Sequence, residues 1–193
     1  MKKFSAKEIL IPVISLFLIC GVATFLLAMT NDITAPIIAE IDAQAEKEAR
    51  KVVLPDAADF EDKTVEINGT EYAYCEGVDE NGDVIGYVFV TAGKGYGGEV
   101  SIMTGRDADG AITGIEVLSC DDETPGLGQN AKKDTWRAQF TGIKDEITVV
   151  KNTTPEGAQI LAITSATITS TAVTSAVNET LEIYNEVTKG GEQ

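Results

Sequence analysis

The chain has 193 residues, 44% hydrophobic and 24% charged, with 31 acidic against 15 basic side chains and a formal net charge of −16. That length suits one globular domain with a short appendage, and so negative a field repels nucleic acid, which excludes DNA and RNA as partners. There is no His and there are three Cys, so the commonest metal ligand and general base is missing and neither zinc-hydrolase nor Ser-His-Asp chemistry has material here.

Residues 1–8 carry three Lys and one Glu, and residues 9–29 follow without a single charge. At 1.5 Å per residue such a run crosses a hydrocarbon core of roughly 30 Å, so a transmembrane helix is expected over 9–29. Lys2, Lys3 and Lys7 precede it and Asp32 follows, which places the N-terminus in the cytoplasm and the remainder on the extracytoplasmic side of the inner (plasma) membrane. The run is longer than a signal-peptide core and lacks a small-x-small cleavage site. Cys20 follows Leu18 and Ile19 where a lipoprotein signal has small residues, so a retained single-pass anchor is expected. Residues 30–55 read as a connecting segment, helical from 35 to 53 and stopped by Leu54-Pro55.

Residues 56–193 form the predicted extracytoplasmic domain. Segments 64–67 and 71–75 flank Asn68-Gly69, a strong hairpin signal. Further strands are predicted at 84–91, 99–103 and 112–118, antiparallel because their connections are short. Asp107-Ala108-Asp109-Gly110 resembles the start of a calcium loop, but Val117 and Leu118 fall where the bidentate Glu is needed, so a plain β-turn is expected. Residues 130–140 read as a helix with Trp136 and Phe140 on its apolar face, and 147–150 as a last strand. Val173, Ala176, Val177, Leu181, Tyr184 and Val187 repeat near the helical period and mark a C-terminal amphipathic helix. The expected fold is α+β, one antiparallel sheet with packed helices. Cys75 and Cys120 are the only cysteines outside the span; a disulfide between them is permitted in that compartment, with free thiols the expected state.

Three segments can carry chemistry, and each has a plain alternative. Glycines in Gly93-Lys94-Gly95-Tyr96-Gly97-Gly98 let the backbone approach a planar ring or a phosphate, or merely form a flexible turn. The run lacks the spacing of a dinucleotide or P-loop motif, so nucleotide triphosphate binding is not supported. Glu123-Thr124-Pro125-Gly126-Leu127-Gly128 contains a Pro-Gly turn signal and reads equally as a surface loop. In Ile163-Thr164-Ser165-Ala166-Thr167-Ile168-Thr169-Ser170, hydroxyls gather where a helix begins. Unpaired N–H groups there favour an anion, although Thr164 or Ser165 as a simple N-cap explains the same composition.

Together the segments add a more specific signal. Thr164-Ser165-Ala166-Thr167 resembles the S/T-G-A-T flavinylation site of the G subunits of Rnf complexes and the C subunits of Nqr complexes. The run at 93–98 is similar to that family's G-K-G-Y-G-G, and 123–128 to its E-T-P-G-L-G; the membrane helix, residues 50–55 and 136–140 extend the likeness over essentially the whole chain, and the length favours the Rnf branch. Two positions depart from the pattern: Ser165 stands where the motif usually has Gly, and Leu161 where an Asp commonly precedes it.

The resemblance implies one covalent FMN, joined by a phosphoester to Thr167 through the action of a flavin transferase. It further implies a cofactor site formed with Thr164, Ser165, Ala166, Glu123, Thr124, Leu127, Gly128, Gly95 and Tyr96. In that reading Glu123 and Thr124 lie near polar ring atoms and Leu127 against the ring face. The implied role is electron relay beside the other subunits of an ion-translocating ferredoxin:NAD oxidoreductase, with no catalytic residue and no metal. The competing expectation is a membrane-anchored assembly or binding domain with a degenerate FMN site, for which Ser165 and Leu161 are the evidence. A stand-alone flavin reductase would need a further substrate domain.

Overall fold

The computed structural model describes residues 6–190. Helix α1 spans Ala6–Val53 without a break, whereas separate helices over 9–29 and from 35 were expected. Pro12 and Pro36 both lie inside it, and Thr34 donates its hydroxyl to Thr30 O (3.0 Å) just before Pro36. The helix stops at Val53, as Leu54-Pro55 predicted. The chain divides into two compact units, residues 1–44 and 45–193. In the first, apolar side chains are exposed on every side, Phe17 by 76%, Leu27 by 71% and Ile19 by 67%. A helix hydrophobic all round is long and apolar enough to cross a membrane. The second unit begins within α1 at Ala45 rather than at residue 56, because Ala49, Val53 and Leu54 are buried in its core.

That unit is built on a five-stranded meander, β1 (Asp59–Ile67), β2 (Thr70–Val78), β3 (Val84–Lys94), β4 (Glu99–Asp107) and β5 (Ile112–Ser119), ordered as in the sequence and antiparallel throughout. Asn68 and Gly69 both have positive φ (53° and 83°), the two-residue turn whose twist matches the flanking strands. The Asp107 to Gly110 segment is the expected turn: Gly110 N–H reaches Asp107 O (3.0 Å), while Asp107 Oδ1 accepts from the amides of Asp109 and Ala111.

Each face of the sheet has its own core. Helix α3 (Thr167–Gly190) covers one face, where Val173, Ala176 and Val177 meet Val100, Ile102 and Val117. Thr180 and Ile183 complete its buried stripe. Two polar side chains pin α3 to the strands. The Thr91 hydroxyl donates to Ala176 O (2.8 Å), and fully buried Arg106 donates to Thr180 Oγ1 (3.0 Å), Gly110 O (2.7 Å) and Val177 O (3.4 Å). Burial lowers the Arg106 pKa to about 10, still high enough to keep it charged at neutral pH. The opposite face takes the end of α1: Ala49, Val53 and Leu54 pack on Cys75, Val88 and Met103. Glycines make this possible, since a Cβ at Gly77 would collide with Leu54 and one at Gly105 with Val53 O, while one at Gly86 would meet Arg106 O first. Cys75 belongs to this core and Cys120 to the other; both are free thiols.

The helix expected over 130–140 is broken. A 3₁₀ turn (Gly128–Lys132), the four-residue α2 (Asp134–Arg137) and a second 3₁₀ turn (Ala138–Phe140) replace it, because Lys133 is extended at φ −76°, ψ 128°. Trp136 and Phe140 are nonetheless both buried, edge to face at 5.3 Å. Strand β6 (Thr148–Val150) lies where a strand was predicted, but it pairs in parallel with β7 (Gln159–Leu161), forming a second small sheet where one sheet was expected.

Candidate functional site

The three chemically suggestive segments meet at one end of α3. The glycine run links β3 to β4, where Gly95 N–H bonds Gly98 O (2.8 Å). Residues 123–128 follow β5; Gly126 has φ +77° and Leu127 N–H bonds Thr124 O (3.1 Å), the turn geometry that requires Gly at its third position. Residues 163–166 lead into Thr167, the first residue of α3. This lead-in is held by Ser170, whose Oγ accepts the Ile163 N–H (2.9 Å) and donates to Ala166 O (3.0 Å).

Glu123 joins the three. It is 2% exposed, its Oε1 accepts the Gly97 N–H (2.9 Å) and its Oε2 accepts the Thr169 hydroxyl. A Cβ on Gly95 or on Gly128 would collide with this carboxylate, so those glycines clear its seat. Burial alone would raise the Glu123 pKa, but the Thr169 hydroxyl and the amides of Gly97, Tyr96 and Gly98 outweigh it and hold the group below the usual carboxylate range. The side chain expected beside a ligand's polar atoms therefore spends both oxygens inside the protein.

Beside this latch lies a cavity of about 470 Å³ lined by Tyr96, Glu123, Thr124, Leu127, Gly128, Ser165, Ala166, Thr167, Ile168 and Thr169, within the ordinary size of small-molecule sites. Tyr96 (72%), Ile168 (54%) and Leu127 (39%) expose apolar surface around it, the lining a planar aromatic ring would cover. Of the ten predicted site residues, eight line this cavity. Gly95 stands behind Glu123, and Thr164 faces an adjoining groove with Leu127, Trp136 and Ser165. Sequence reasoning missed Thr169 and Gly97. The signal for Thr169 was its place four residues before Val173 on the inward stripe. Ser165 has φ +63°, the left-handed region that suits the Gly of the motif. A wider hollow of about 650 Å³ lies on the α1 face among Arg50, Asp62, Tyr74 and Cys75, remote from all three segments.

Comparison with known proteins gives the family and the fold. The FMN-binding domain family matches residues 95–182. The G subunit of the Na(+)-translocating ferredoxin:NAD(+) oxidoreductase complex of Acetobacterium woodii is 46% identical over 190 residues, covering 90% of both chains. The G subunit of the proton-translocating ferredoxin:NAD(+) oxidoreductase complex of Clostridium ljungdahlii is 35% identical, covering 91% of both. Among solved structures, NqrC of Shewanella oneidensis superposes with a TM-score of 0.51 over 67% of this chain and 66% of its own, at 21% identity, and shares the fold. Fold and site thus define an FMN-binding electron-transfer domain carried behind an apolar helix. More particularly, the chain belongs to the family of G subunits of ion-translocating ferredoxin:NAD oxidoreductase, or Rnf, complexes.

Proposed function

We propose that this chain is a relay subunit of an ion-translocating ferredoxin:NAD oxidoreductase, holding FMN as a phosphoester on Thr167. The observation that carries the reading is the convergence of three separate segments on one cavity with Thr167 at its edge. When bound, FMN accepts electrons in a pair and releases them singly, which suits a relay between one-electron carriers. The protein fixes its place. Thr167 Oγ would bond to the flavin-side phosphorus of a phosphoanhydride donor held by a flavin transferase, its P–O–P bond breaking to release the other phosphate and the hydroxyl proton passing to a base on the transferase, with no change of oxidation state. Leu127, Ile168 and Tyr96 would cover the ring, with Thr124 and the backbone of 95–98 as polar partners.

Residues 9–29 span the plasma membrane in this reading, with residues 1–8 cytoplasmic and the domain outside beside the complex's other membrane subunits. A covalent tether has particular value there. Free FMN is a phosphate monoester with nearly two negative charges, disfavoured beside a chain of net charge −16 and lost once it dissociates. The positive φ of Ser165 favours one competing reading, an assembly domain whose flavin site has decayed.

The test is peptide mass spectrometry of protein produced with an active flavin transferase. One FMN phosphoryl adduct is expected on Thr167, absent from Thr167→Val. An unmodified peptide, with the transferase active on another target, rules out attachment and favours the assembly reading, and an adduct persisting in Thr167→Val moves the site to Thr164, Thr169 or Thr171.

A further inference from the structure

Thr167 borders two hollows. On one side is the apolar cavity with buried Glu123. On the other is a hollow of about 590 Å³ that runs along α3 past Ile168, Thr171, Ala172 and Ser175. Lys94, the last residue of β3, and Lys151, directly after β6, both line this second hollow. Neither forms an ion pair among the described residues, as is also true of Lys47, Lys51 and Lys133, but only Lys94 and Lys151 line a hollow with Thr167; Glu99 is the cross-strand neighbour of Lys94. Glu179 lines the same hollow, but it lies three turns along α3 from Thr167. In a chain with 31 acidic and 15 basic side chains, a hollow that brings two ammonium groups and one distant carboxylate to Thr167 reverses the local sign of the general field.

Resting on the Thr167 reading above, we infer that Lys94 and Lys151 form the anion site for the flavin's phosphodiester, and so set which way the flavin lies across Thr167. A phosphodiester keeps one negative charge. Placed on the Glu123 side it would face a buried carboxylate, and placed on the lysine side it meets two ammonium groups on flexible stems. The ring falls to the other side, against Leu127 and Tyr96. Arrival of the activated, more highly charged donor is drawn to the same lysines, so they act on attachment as well as on the product.

The experiment uses the full chain produced with its flavin transferase and compares Lys94→Gln, Lys151→Gln, the double variant, the double Lys→Arg variant, and a charge-matched control, Lys63→Gln with Lys144→Gln. Labelling is followed by mass spectrometry and the attached phosphodiester by its ³¹P resonance. We expect each Gln change to slow labelling about 2–5-fold at low salt, the size of a solvent-screened ion pair, with the effect shrinking as salt rises. The double Gln variant shifts the ³¹P resonance, and the Arg variant restores both readings. Wild-type labelling rate and ³¹P resonance in the double Gln variant overturn the inference, as does equal slowing in the control. An unlabelled wild-type chain, with the transferase active on another target, refutes attachment at Thr167 itself.

Discussion

Glycines open both ends of this domain, for opposite purposes. At the α1 end, Gly77 and Gly105 clear room for Leu54 and the Val53 backbone, and the contact that results is aliphatic. At the other end, Gly95 and Gly128 clear room for the carboxylate of Glu123, and the contact is a charged hydrogen-bond latch. The first stabilises by area removed from water and is indifferent to pH; the second stabilises only while one proton stays off. This chain uses the same small residue to seat a helix end on its sheet and to seat a buried carboxylate.

The contrast is broken most strongly from the aliphatic side. Leu54→Ala removes a side chain only 2% exposed and is expected to cost about 2–5 kcal/mol in urea unfolding of the domain, with the same loss at pH 4 and pH 8. Glu123→Ala strands the Gly97 amide and the Thr169 hydroxyl, an expected loss of about 1–3 kcal/mol, accompanied by reduced flavin loading in whatever folds. Glu123→Gln sharpens the comparison further. The native pKa of Glu123 lies below its ordinary 4.5, so its contribution is complete above that value and lost as pH falls through the native one. Unfolding midpoints of the wild type should therefore drop below about pH 4.5 more steeply than those of Glu123→Gln. Ser165→Gly relieves a positive φ and is expected to stabilise by at most about 1 kcal/mol in the same assay. The smallest effect is chemical. Burial, then the Asp62 contact, push the Cys75 thiol up to about 12, so folded protein at pH 8 should resist alkylation at Cys75 and react there only after unfolding.

Much of the meander was legible because each strand alternates and each turn carries its own residues, Asn68-Gly69 most plainly. Strand ends were drawn short where β3 and β4 run on through Gly93 and Arg106, since glycine and a buried cation read as interruptions until α3 is known to cover them. The extended conformation of Lys133 has no local signal, which is why one helix was expected over 130–140. Strand β7 is three residues long and exists only because β6 lies beside it. At the site, the motifs pointed to three segments that the fold brings together but gave no sign of the latch made by Glu123, because its partners come from 26 and 46 residues away in sequence. Ser165 could be recognised as a departure, but its φ depends on how 163–166 are tied to Ser170.

The single tryptophan of the chain gives this arrangement an optical consequence. Trp136 donates its indole N–H to Leu161 O (2.8 Å) and shares a groove with Leu127 and Ser165, so its emission comes from beneath the attachment loop and from nowhere else. Flavin absorbs in the region where indole emits. Loading at Thr167 should dim that one tryptophan through energy transfer, and its fluorescence lifetime would then distinguish flavin-loaded from empty chains in the purified subunit, without a label being added.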